Sequence, residues 1–139
     1  MKGVILGLAA AVALVGVAPA VAHHSYAAFD RDTQVTLTGV VKELQWNNPH
    51  AWIQIVVLDD KGRRTEWGVE CGSPNMMART GWKRSTLAAG DRVVAVVNPL
   101  KDGRANGALV KITLPDGRVL GPGNAPGPRP LRSAAKSKS

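Results

Sequence analysis

Between Val35 and Leu120 the apolar residues recur at short, strand-like spacings, broken by clusters of Gly, Pro, Asn and Asp. Val35–Trp46 reads as one long strand. Val35, Leu37 and Val41 share a parity, and Gly39 interrupts it, which predicts a bulge or a sharp bend. Trp52–Leu58 is apolar on both parities, as a buried strand would be. Asp59-Asp60-Lys61-Gly62 is a hairpin turn into Arg63–Glu70. In that strand Thr65, Trp67 and Val69 lie on one face, and Arg64, Glu66, Gly68 and Glu70 on the other. The alternation predicts that Glu66 and Glu70 both face solvent.

One helix interrupts the strands. Ser73 is a good N-cap, Pro74 suits the first helical position, Asn75–Thr80 follows, and Gly81 is a natural terminator. Strands then resume at Arg92–Asn98, Ala108–Leu114 and Val119–Leu120, with turns at Asp102-Gly103 and Pro115-Asp116-Gly117-Arg118. A short helix between the third and fourth strands predicts a mostly all-β fold. The expected form is a small OB-like, five-stranded Greek-key barrel, with an open sandwich of the same strands as the alternative.

Both ends of the chain fall outside this pattern. Met1–Lys2, the uncharged apolar stretch Gly3–Val17 and the small residues Ala18-Pro19-Ala20-Val21-Ala22 have the layout of a secretory signal peptide. Residues 1–22 are therefore expected to be removed, which would leave a periplasmic or secreted protein. Residues 23–120 would form the barrel domain. Residues 121–139, rich in Pro, Gly, Ser and Lys, are expected to be a disordered tail.

Charge changes the picture less than its total suggests. Lys and Arg number 18 against 10 Asp and Glu, a net +8. Lys2 lies in the leader and Arg129, Arg132, Lys136 and Lys138 lie in the tail, so the domain itself is only weakly basic. Export and this weak charge argue against nucleic acid as a partner. The tail offers at most a weak contact with an anionic membrane or cell-wall polymer. A single cysteine, Cys71, excludes an internal disulfide and any Cys-x-x-Cys motif. It is expected to be a small buried residue. No Gly-rich phosphate loop opens a helix.

The candidate chemistry sits at two places. Cleavage after Ala22 would make His23 the first residue, with His24 beside it. An N-terminal histidine offers its amine and a ring nitrogen to one ion, a set that suits copper(II) or nickel(II). Cleavage after Ala20 would instead start the chain Val21-Ala22-His23, with the histidine third, another copper(II) arrangement. The second place is Trp46-Asn47-Asn48-Pro49-His50-Ala51-Trp52, the loop between the first two strands. Two tryptophans flank a polar tip there. In an OB barrel this loop takes part in binding, with Trp for stacking and Asn for directional hydrogen bonds. If the N-terminus folds back, His23, the amine and His50 would form a T-shaped copper site, the arrangement called a histidine brace. Cys71, Met76 and Met77 are soft ligands in loose spacing, and core packing is their ordinary role.

These residues also carry a resemblance. His23-His24-Ser25-Tyr26-Ala27-Ala28-Phe29-Asp30, Leu37-Thr38-Gly39-Val40-Val41, Trp46-Asn47-Asn48-Pro49-His50-Ala51, Ser73-Pro74-Asn75, Gly81-Trp82, Gly90-Asp91 and Asp116-Gly117-Arg118 resemble, in order and spacing, a family of small exported bacterial proteins. It is catalogued as domain-of-unknown-function family 6152. The resemblance covers residues 23–120. It implies an exported β-barrel and no particular activity. The family's His-His start and Asn-Pro-His loop fall on His23, His24 and His50. Cys71 stands where the resemblance implies a small residue.

Two functions fit these observations. One is a non-enzymatic binding protein that holds copper through His23, His24 and His50. The other binds a small ligand, a glycan or a protein partner through Trp46, Asn47, Asn48, His50 and Trp52, with Trp67 and Trp82 nearby. A copper oxidoreductase would need the same brace and an open face for substrate. The thin set of catalytic groups favours binding over catalysis.

Overall fold

The structure, a computed structural model, describes residues 26–123. His23, His24, both cleavage positions and most of the predicted tail lie outside the described residues. A 3-10 turn, Tyr26–Ala28, leads into β1 (Val35–Gln45), β2 (Trp52–Leu58), β3 (Arg64–Glu70), α1 (Pro74–Arg79), β4 (Arg92–Pro99), β5 (Asn106–Thr113) and the short β6 (Val119–Leu120). Strands β3-β2-β1-β4-β5 neighbour one another in that order. A parallel pairing of Gly68–Glu70 with Asn106–Ala108 joins β3 to β5 and closes a five-stranded barrel. This is the predicted wiring, with one short helix between β3 and β4.

The barrel closes around one interior. Leu37 and Val41 of β1, Ile53 and Ile55 of β2, Val69 of β3, Val97 of β4 and Ile112 of β5 are buried there. Each such side chain contributes about 2 kcal/mol on leaving water. Helix α1 covers one end. The Ser73 side chain accepts the Met76 N–H at 3.4 Å, which caps the helix and turns Met77 into the core. Gly81, with φ +96, ends it, and Trp82 follows Met77 inward.

The structure departs from the expectations at three points. β2 is buried on one face only. Ile53 and Ile55 point in, while Val56 is half-buried and Leu58 is exposed outside, because a single closed barrel has only one interior. The irregularity of β1 falls at Lys42, where the register to β2 shifts between Val41 and Glu43. Gly39 is paired on both sides, to Val57 and Val93. A Cβ there would strike the Val56 carbonyl and lie 2.7 Å from Ile55 Cγ2, so glycine permits a close approach of β1 to β2. Lastly, the domain continues past Leu120. The Trp82 indole N–H donates to the Gly121 carbonyl at 2.9 Å, and the Gly72 N–H donates to the Pro122 carbonyl at 2.8 Å. Gly123 packs on Met77.

Ahead of β1, Phe29 is buried and bridges to Leu100. The Asp30 N–H donates to Pro99 O at 2.8 Å, and the Lys101 N–H donates to Ala28 O at 3.0 Å. Asn98 Nδ2 donates to Thr33 O at 2.7 Å. The chain leading into the barrel is thereby tied to the connection between β4 and β5.

Candidate binding site at the barrel mouth

The loop between β1 and β2 is exposed at Asn47, Asn48 and Pro49, and its Asn48–Pro49 bond is cis. Its second half is fastened. Ala51 is fully buried, its N–H donates to Gly72 O at 2.9 Å, and its carbonyl accepts the Cys71 N–H at 2.9 Å. The β2–β3 pairing thus runs one step beyond the Trp52–Glu70 pair, and His50 is set immediately outside it.

His50 meets Glu70 there. Its Nδ1 lies 2.5 Å from Glu70 Oε1, with the imidazole 26% exposed and the carboxylate 8%. Two lone pairs would repel at that separation, so one proton sits between them; with Glu70 ionised it is on Nδ1. A buried carboxylate requires such a partner. In the neutral ring the basic nitrogen is then Nε2.

Glu70 was expected in solvent beside Glu66, and this is corrected. Glu66 does face solvent and pairs with Lys42 Nζ at 2.9 and 3.0 Å. Glu70 lies on the same outer face of β3, but it is 7% exposed. Its cross-strand neighbours are Trp52 on β2 and Ala108 on β5, and His50 joins them. Strand parity gives the face of a side chain and says nothing of what covers that face. A sequence signal for Glu70 exists only in hindsight: it is the one charged residue of β3 with an apolar neighbour on both sides, Val69 and Cys71.

The four tryptophans separate. Trp52, half-buried on the outer face, stands across from Glu70. Trp46 follows Gln45, the partner of Trp52, and packs partly on the core. Trp67 also packs on the core, across from Ile55. Trp82 is 1% exposed with its indole N–H committed to Gly121. The structure thus gathers His50, Trp52 and Glu70, with Trp46 close by in the chain, and leaves Trp67 and Trp82 to core packing. Sequence reasoning also passed over Asn106, whose side chain occupies the space above Gly68, beside Gln54.

Cys71 is buried, as expected, 3.8 Å from Val69 O. Burial pushes its thiol well above the ordinary range, and the Glu70 charge pushes the same way. A thiol held protonated is neither a nucleophile nor a metal ligand. Met77 lies in the core and Met76 at the surface. Among the described residues no three His, Cys, Asp or Glu side chains come together as a metal cluster.

Fold and site define a small closed β-barrel with a histidine–carboxylate pair at one mouth. The chain belongs to a family of unknown function (DUF6152), whose profile matches residues 11–110, from ahead of the described residues into β5. No curated protein and no solved structure matches the chain significantly.

Proposed function

We propose that this is an exported, non-enzymatic copper-binding protein. His50 would supply one ring nitrogen, and the mature N-terminus would supply its amine and the imidazoles of His23 and His24. The donors are nitrogens of the kind copper(II) prefers. The capture or delivery of copper outside the cytoplasm follows from the reading of residues 1–22 as a signal peptide.

One observation carries the proposal. Phe29 is pinned to Leu100, Pro99 neighbours Gly107, and Gly107 neighbours Val69, the residue before Glu70. The segment that follows the histidine N-terminus is thus anchored beside β4 and β5, and β5 runs alongside the Glu70 end of β3, which supports a site shared by the N-terminus and His50.

The test is a copper(II) titration of the exported, untagged protein beside its His50→Ala variant. The reading expects one copper per chain and weaker binding in the variant. Unchanged affinity would rule out the three-part site and shift attention to the exposed Asn47, Asn48 and Trp52 as a surface for a small ligand or partner.

A further inference from the structure

We infer that Glu70 is the positioning residue of this site: it holds the proton on His50 Nδ1 and so makes Nε2 the nitrogen that the ring presents to a metal. The inference deepens the copper reading and rests on it.

Three observations set this role above a structural one. A hydrogen bond to a buried carboxylate is a poor source of net stability, because desolvating the charge offsets most of the attraction. The loop does not need the pair for closure, since the Ala51 bonds to Gly72 and Cys71 already fasten its backbone. The pair is also asymmetric, with the carboxylate 8% exposed and the imidazole 26%. Its acid end is covered on the outer face of β3 and its ring end is the more open of the two. Histidines that ligate metals use this arrangement: one nitrogen donates to a carboxylate behind it, which fixes the tautomer and strengthens the other nitrogen as a donor. Trp52 bounds the pair on one side.

The role has two readouts, and the first needs no metal. Long-range proton–nitrogen NMR of the metal-free, exported protein reports which His50 nitrogen is protonated. Nδ1–H is expected, and an Nε2–H ring would overturn the inference outright. The second readout is copper(II) affinity, with the electron paramagnetic resonance spectrum of the complex, in Glu70→Ala and in the nearly isosteric Glu70→Gln. Glu70→Ala should weaken binding by about 10- to 100-fold and alter the spectrum. Glu70→Gln, whose amide oxygen still accepts from Nδ1, should rescue part of both and serves if the alanine variant fails to fold. If His50→Ala weakens binding and neither Glu70 variant does, the positioning role is wrong and the copper reading stands. If His50→Ala also leaves binding unchanged, the copper reading falls and this inference falls with it.

Discussion

Glu66 and Glu70 stand four residues apart on one face of one strand, and they live in different worlds. Glu66 lies in water and pairs with Lys42, with side-chain exposures of 47% and 55%. Glu70 is buried and pairs with His50. The two ends of β3 differ because its early part pairs with β2 alone, while Gly68–Glu70 pair with both β2 and β5. The connection carrying His50 then closes over the doubly paired end. A carboxylate at the open end is a solubility feature, and one at the closed end has to be satisfied by the protein itself.

The sharpest way to break this comparison is to remove each partner in turn. His50→Ala removes a charge-assisted contact from a buried carboxylate and should cost about 2–3 kcal/mol by chemical denaturation. A loss no larger than that of a surface substitution would mean Glu70 is as wet as Glu66. Next in size is Cys71→Ser, which puts a hydroxyl where burial holds a neutral thiol, and should cost about 1–2 kcal/mol. In the same region a thiol reagent should leave native protein unlabelled and react once it unfolds. Lys42→Ala at the open end should cost under about 1 kcal/mol, and less as salt is added.

The smallest effect belongs to the turns. Asp59, Asp102 and Asp116 each accept backbone and side-chain hydrogen bonds from the arginine that follows, chiefly from its N–H, and these hold the three carboxyls below their ordinary 3.8. Asp30 is lowered chiefly by the Thr33 hydroxyl. A group lowered in the folded state stabilises the fold above its unfolded pKa, and that contribution fades as pH falls through the folded value. The melting temperature should therefore drop slightly on acidification below pH 4. Replacing Asp59, Asp102 and Asp116 together by Asn should flatten that drop, and an unchanged acid profile would contradict the assignment.

Most of the architecture was legible because it rests on local rules. Period-two patterning marked the strands, Ser73-Pro74 marked the helix start, and Gly81 marked its end. The misses share a physical cause. The outward face of β2, the burial of Glu70 and the packing of Gly121–Gly123 all depend on which element lies across space from a given residue. A one-dimensional pattern carries no record of that. The displaced irregularity of β1 has the same origin: Gly39 serves a close approach by β2, while the register shift lies three residues on. At the site, His50 and Trp52 were readable from the loop that carries them. Glu70 was not, because its partner arrives from another strand connection.

The central claim is that the exported chain holds copper with His50 and a histidine N-terminus. Intact mass of untagged protein exported by its native cells, taken first under native conditions and then denatured, tests it most directly. The account predicts a denatured mass for a chain beginning at His23 and a native mass heavier by one copper. A chain with a different first residue, or one that stays metal-free and takes up no stoichiometric copper, would contradict it.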